Sequence, residues 1–364
     1  MSCVTSIARD DRVLVRKHSA LARITLDRPR AIGAVDTPML DAITAALAEM
    51  RADSDIDTIL FDATSDRGFC SGGDIRQLHG RIAEGDFDAV ERFFRTEYRL
   101  NAAIAEFPVP VVAFADGITM GGGIGLAGPA QVRIVTETSR LAMPETRIGF
   151  TPDAGGSWLL AHAPGRIGEY LALTSDTMDA ADAIYAGFAD HFVRRDDLAA
   201  VREALETRAD PATPGELVLL FDETPDESDL RAAREWIDDA FARETVVEVR
   251  ERLRELASDP RWQDARRSPA AALAALDERP PTALAVTLAA IRSARALPNQ
   301  RAALEQELRL VMWFAREQPD MLEGIRAQMI DKDQSPRWNP ATLDALELDI
   351  VGQAFRHEVR PLFD

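Results

Sequence analysis

Residues 109–128 read Val109-Pro110-Val111-Val112-Ala113-Phe114-Ala115-Asp116-Gly117-Ile118-Thr119-Met120-Gly121-Gly122-Gly123-Ile124-Gly125-Leu126-Ala127-Gly128. The first part is an apolar run of strand length, which predicts a strand over 109–115 with both faces covered. The second part opens on adjacent glycines and predicts a helix over 121–128. Strand, glycine turn and helix together make the building unit of an α/β sheet. Further strands are predicted over 13–16, 22–26, 58–62 and 132–136. Helices are predicted over 37–50, 88–106, 154–160, 166–173 and 180–185. Asp36 or Thr37 caps the first helix, with Pro38 in its opening turn. Past about residue 195 the strand signal fades. Helices are then predicted over 198–207, 228–242, 246–256, 281–294, 301–314 and 319–329, with Ser228 as an N-cap and a connecting loop over 210–227. The expected division is an α/β core over 1–195 and a mainly helical C-terminal region over 196–364.

The chain has 364 residues, 46% apolar and 28% charged, which is ordinary for a globular protein. Its net charge of −19 argues against nucleic acid or an anionic membrane as partner. No apolar run approaches the roughly 18 residues that a membrane helix needs. The start, Met1-Ser2-Cys3-Val4-Thr5, lacks a basic region followed by an apolar core, so no secretory signal is expected and a cytoplasmic location is the default. Cys3 and Cys70 are too few for a disulfide framework or a four-cysteine metal site. His18, His79, His162, His191 and His357 form no spaced pair, and no metal is expected. The serine-hydrolase elbow G-x-S-x-G does not occur.

Downstream of the glycine run lies Pro144-Glu145-Thr146-Arg147-Ile148-Gly149-Phe150-Thr151-Pro152-Asp153. Each of its two acids follows a proline, where the backbone is stiff. Acids near a glycine run suggest acyl chemistry, because exposed backbone N–H groups stabilise a developing oxyanion. A surface loop with two solvated acids fits the same spacing. A second glycine loop, Phe69-Cys70-Ser71-Gly72-Gly73-Asp74-Ile75, is predicted to turn its backbone N–H groups toward a ligand. Cys70 has no histidine near it in sequence, and the base rate makes it a packed small hydrophobe. Gly123-Ile124-Gly125-Leu126-Ala127-Gly128 fits the dinucleotide pattern G-x-G-x-x-G, with Glu145 about twenty residues on. Against an NAD site, Glu145 does not end a strand, and a second glycine loop has no place in that unit.

Taken in order, Ile24-Thr25-Leu26-Asp27-Arg28-Pro29, Phe69–Asp74, Gly117–Gly123 and Met143-Pro144-Glu145-Thr146 resemble the crotonase (enoyl-CoA hydratase/isomerase) superfamily. Phe93-Phe94-Arg95-Thr96-Glu97-Tyr98, Pro152-Asp153-Ala154-Gly155-Gly156 and the tail from Glu323 to Trp338 resemble its 3-hydroxyisobutyryl-CoA hydrolase branch. The resemblance runs from about residue 12 to 357. It implies a crotonase-like spiral of ββα units with a helical C-terminal region, and an acyl-CoA site in the core. It implies an oxyanion hole from the N–H groups of Gly73 and Gly122, aided by the positive end of the helix that starts near Gly121. Glu145 would act as general base or direct nucleophile, Asp153 would orient water or the substrate hydroxyl, and Glu97 would add a polar substrate contact. The first glutamate of a hydratase would fall at Gly125, which has no acid.

The activity that the resemblance implies is hydrolysis of a short branched 3-hydroxyacyl-CoA in valine breakdown. CoA would enter as part of the substrate, with no separate cofactor. A homo-oligomer, trimeric as superfamily relatives often are, is also implied. An enoyl-CoA hydratase or isomerase and a non-catalytic acyl-CoA-binding protein are the alternatives. Three positions depart from the family pattern. Gly33 stands where asparagine is common, Thr151 where phenylalanine is, and Ser157 ends a run usually all glycine.

Overall fold

A computed structural model describes residues 10–207, 213–263 and 265–363. Cys3 and the first residues of the predicted 210–227 loop lie outside the described residues. The chain forms two compact units, each assembled from three separated stretches. Met1–Gly73, Thr96–Leu141 and Met178–Asp226 make the first, and Asp74–Arg95, Ala142–Thr177 and Glu227–Asp364 the second. The expected boundary at residue 195 is thereby corrected, because the compact units interleave along the chain.

The first unit holds a six-stranded sheet. Its strands in chain order are β1 (Val13–His18), β2 (Leu21–Leu26), β3 (Thr58–Ala63), β4 (Val111–Phe114), β6 (Val132–Val135) and β8 (His191–Phe192), and the spatial order is the same. A tight turn at Ser19 and Ala20 joins β1 to β2 antiparallel, with Val13 opposite Leu26. Every later pairing is parallel. All four residues of β4 are buried, as an unbroken Val-Val-Ala-Phe run requires when both faces are covered. The short strands β5 (Ile118–Met120) and β7 (Arg140–Ala142) make a separate two-stranded ladder.

Leu60, Val112 and Ile134 of the sheet pack with Leu198, Val201, Leu205 and Val218 in one buried cluster. Those last four side chains are what draw residues beyond 195 into the first unit. The helix Thr37–Ala52 begins as expected, with the Asp36 carboxylate accepting from the Met39 N–H.

The second unit is helical around Gly156–His162, Ile167–Thr174, Asp229–Phe241, Val246–Leu256, Pro269–Glu278, Pro281–Ala294 and Gln300–Glu317. Ser228 caps Asp229–Phe241 through the Arg231 N–H. Helix 319–329 is cut short. Its α part, Pro319–Ile325, gives way to a five-residue π turn, Arg326–Ile330. There the Asp331 N–H reaches back to the Arg326 carbonyl at 2.8 Å, while the Arg326 guanidinium binds Glu323, Asp331 and Asp333. Among the described residues no helix is long and apolar enough to cross a membrane.

Candidate active site

The residues singled out in sequence fall into two groups, one in each unit. In the first unit the two glycine loops meet. Gly72, at φ +99°, occupies a backbone region that favours glycine, and its carbonyl accepts from the Val35 N–H at 2.9 Å. That leaves the next N–H, of Gly73, beside Gly122. A Cβ built on Gly122 would stand 3.3 Å from the Gly73 nitrogen and overlap Glu97 Oε1. Gly73, Gly122 and Glu97 are therefore brought together. Among the described residues neither the Gly73 nor the Gly122 N–H donates to another backbone group. Gly122 opens the helix Gly122–Ala127, where first-turn N–H groups have no partner within the helix. Two backbone donors side by side at a helix start suit an oxyanion.

Glu97 is only 2% exposed and lies on the helix Phe87–Ala105. One turn on, the buried Asn101 donates Nδ2–H to the Gly125 carbonyl at 2.8 Å. This fixes the helix bearing Glu97 against the short helix bearing Gly122. Gly125 is itself buried within that short helix. Cys70 is fully buried, and burial followed by the Glu97 charge pushes its thiol up to about 12. Its Sγ rests 3.1 Å from the Gly33 carbonyl. A thiol so held is not a nucleophile near neutral pH. The G-x-G-x-x-G pattern is spent on packing, since a Cβ at Gly123 would overlap the Cys70 carbonyl.

In the second unit Glu145 and Asp153 are each 5% exposed, so the surface-loop reading fails for both. Glu145 begins the 3-10 turn Glu145–Ile148, and its carbonyl accepts from the Phe150 N–H at 3.1 Å. Next to it, the Thr146 hydroxyl bonds the Ala172 carbonyl at 3.0 Å and the Ser175 hydroxyl at 2.6 Å. These bonds pin the turn to the helix Ile167–Thr174 and the residue after it. Asp153 opens a turn in which Ala154 sits at φ +52° and Gly155 at φ +81°. For alanine that conformation costs on the order of 1 kcal/mol, so the surroundings must hold it.

Glu307 does the holding. It is fully buried on the helix Gln300–Glu317 and accepts three hydrogen bonds from the turn. Donors are the Gly155 N–H at 2.8 Å, the Ser157 N–H at 3.0 Å and the Ser157 hydroxyl at 2.5 Å. Burial pushes its carboxyl up to about 8; those three donors oppose the shift, and the Asp153 charge adds to it. Sequence reading missed Glu307, although the signal was there. It shares a helical stripe with Leu304, Leu308 and Val311, all buried, where an acid is out of place.

Two of the three departures from the family pattern also acquire partners. Ser157 binds Glu307, and Thr151 accepts from the Thr287 hydroxyl at 3.0 Å, both threonines being fully buried. Each substituted hydroxyl is thus tied to a helix that comes more than 130 residues later in the chain.

A family model described as enoyl-CoA hydratase/isomerase matches residues 21–355. A Gallus gallus protein named 3-hydroxyisobutyryl-CoA hydrolase, mitochondrial, is 34% identical, over 94% of this chain and 88% of that protein. Two solved structures align nearly end to end. A carnitinyl-CoA dehydratase from Mycobacterium thermoresistibile has TM-score 0.89 and 34% identity, over 97% of this chain and 98% of the other. An enoyl-CoA hydratase from Rhodobacter sphaeroides 2.4.1 has TM-score 0.86 and 42% identity, over 95% of this chain and 97% of the other. With its parallel sheet, its glycine loops and a match across most of its length, the chain belongs to the enoyl-CoA hydratase/isomerase family and carries the crotonase fold.

Proposed function

We propose that this protein hydrolyses the thioester of a short branched 3-hydroxyacyl-CoA, turning 3-hydroxyisobutyryl-CoA and water into 3-hydroxyisobutyrate and CoA, as a step of valine breakdown. The observation that carries this reading is the pair of acids. Both are buried, Asp153 is held by a dedicated turn, and the position that a hydratase gives to its first glutamate is Gly125. The similarity to 3-hydroxyisobutyryl-CoA hydrolases supports the same substrate.

In this reading the Gly73 and Gly122 N–H groups receive the thioester oxygen as it becomes an oxyanion. Loss of one such donor costs about 3–4 kcal/mol of transition-state stabilisation. Glu145 takes the proton of the attacking water, or attacks the carbonyl itself and is released by water in a second step. Either way a C–O bond replaces the C–S bond, and CoA leaves as thiolate and is protonated. Asp153 orients the water or the substrate hydroxyl, and Glu97, beside Gly122, meets the acyl group. No cofactor apart from the CoA of the substrate is needed. A homotrimer belongs to the same proposal, as does a cytoplasmic location. The Gallus gallus relative is named mitochondrial, so fractionation of the source cell tests that last point directly.

Hydration of an enoyl-CoA is the second reading, favoured by the names of the two solved structures. A paired assay separates them. Thiol release is followed with 3-hydroxyisobutyryl-CoA, and loss of the conjugated double bond with crotonyl-CoA. Rapid CoA release with negligible hydration is expected; hydration without release would overturn the hydrolase reading.

A further inference from the structure

We propose a second anion site, on the 3-10 turn that carries Glu145, built to receive the phosphate groups of a small molecule. A cavity of about 470 Å³ opens between this turn, the end of the helix Ile167–Thr174 and the helix Pro269–Glu278. Arg147, Arg266, Arg267 and Arg279 line it, facing two carboxylates, Asp176 and Glu278. Arg266 pairs with Asp229 at 2.9 Å, so the two carboxylates of the cavity face three remaining guanidinium groups and leave an excess of positive charge. Asp176 is engaged by Arg267 and by the Tyr170 hydroxyl. Glu278 meets Arg279 at 3.3 Å but is 71% exposed, so water weakens the pair.

Arg279 is the strongest sign of a missing partner. Its side chain is only 7% exposed, yet its Nε–H has no acceptor among the described residues. One Nη donates to the Thr174 carbonyl at 3.0 Å. Burial, and next the like charge of Arg147, drives its guanidinium down to about 10. Arg147 itself is exposed and pairs with no carboxylate among the described residues. A buried, incompletely bonded guanidinium repelled by another is costly unless an anion stands between them.

The class of ligand is set by the donors and the room. Planar guanidinium forks fit phosphate oxygens in pairs. The volume lies within the range of roughly 300–1,000 Å³ typical of small-molecule sites and exceeds what one phosphate fills. Ala271 and Ala275 supply an apolar wall for the rest of the molecule. The phosphates can belong to a free metabolite or to the CoA of the substrate, and the test distinguishes the two.

Inorganic pyrophosphate is titrated into the full-length protein by calorimetry at matched chloride, with and without saturating CoA. Saturable binding is expected, weakened about tenfold or more in Arg147→Gln and in Arg279→Gln, the loss of a charge-assisted contact. Arg147 is exposed, so its variant keeps the test valid should Arg279→Gln fold poorly. If CoA displaces the pyrophosphate and Arg147→Gln weakens CoA itself, the site serves the substrate. If pyrophosphate still binds beside CoA, the site takes a separate phosphate-bearing molecule. Absence of saturable pyrophosphate binding, or binding to Arg147→Gln as tight as to the wild type, would overturn the proposal. Turnover is not measured, so this result stands apart from the hydrolase reading.

Discussion

Glu145 and Asp153 share a sequence context, each behind a proline, and share the same low exposure, but their settings differ. The backbone of Glu145 is fixed by its neighbour Thr146, whereas Asp153 depends on a turn held from another helix. Glu145→Gln and Asp153→Asn are expected to lower CoA release about 100-fold or more, the scale of a lost acid/base group, while CoA still binds by calorimetry. Rates near wild type in both variants would remove these residues from the mechanism. Gly122→Ala tests the other group. The added methyl meets Glu97 Oε1, the end of a flexible side chain, and leaves the Gly122 N–H in place. The variant is expected to melt like the wild type but to lose activity, with KM raised more than kcat falls, because Glu97 is displaced. Loss of folding instead would mean that the loop backbone, not Glu97, gives way. At this scale the sequence pointed to Gly73, Gly122, Glu97, Glu145 and Asp153 through motif order. It was silent on Glu307, whose acceptor role exists only once Gly155 and Ser157 are folded against it.

The turn after Asp153 and the helix Gln300–Glu317 make one device, a strained backbone clamped by a buried carboxyl. Its pH behaviour has a definite sign. The Glu307 carboxyl is raised in the folded state from 4.5 to about 8, so the native protein holds this proton more tightly than the unfolded chain does. The resulting stability is complete below about pH 4.5 and is lost as pH rises through about 8. Asp320, raised by burial to about 6, adds a loss of the same sign at lower pH. Glu307→Gln is therefore expected to flatten the fall of Tm between pH 5 and about 8. Equal slopes in variant and wild type, measured by thermal melts, would show that this carboxyl does not titrate there. Glu307→Gln should also lower kcat more than KM suffers, since it loosens Asp153 rather than substrate binding. Long elements were readable in the sequence because periodicity accumulates: 198–207, 246–256 and 281–294 are observed with those bounds, as is the short helix 180–185. The three short strands β5, β7 and β8 were missed, as were the helices Ile75–Ala83, Pro214–Val218, Pro269–Glu278 and Ile350–Arg356. Two or three residues carry no measurable period, the shorter helices owe their existence to tertiary contacts, and the alanine-rich stretch Pro269–Glu278 shows little contrast between its faces.

Across the whole molecule the interleaving of the two units has a direct consequence for truncation. A fragment of residues 1–195 would lose Leu198, Val201, Leu205 and Val218 from the cluster around Leu60, Val112 and Ile134. Removing four buried aliphatic side chains, at about 2–5 kcal/mol each, costs about 8–20 kcal/mol, as much as the roughly 5–15 kcal/mol by which domains are stable. The fragment is expected to lack a cooperative melting transition by circular dichroism; a sharp transition would show the first unit to be self-sufficient. The change from strands to helices near residue 195 was real in the sequence, since every described element that begins beyond it is helical. It did not mark a structural boundary, because composition records local conformation and not which surfaces are buried together. The sequence by itself determined the α/β class, the glycine loops and the acids, since these rest on local periodicity, backbone permissiveness and motif order. Only the tertiary structure decided that Gly122 lies against Glu97, that Glu307 clamps the turn of Asp153 and that Arg147 faces Arg279. Those are contacts between residues distant along the chain, set by how helices and sheet pack, and packing is a property of the whole fold.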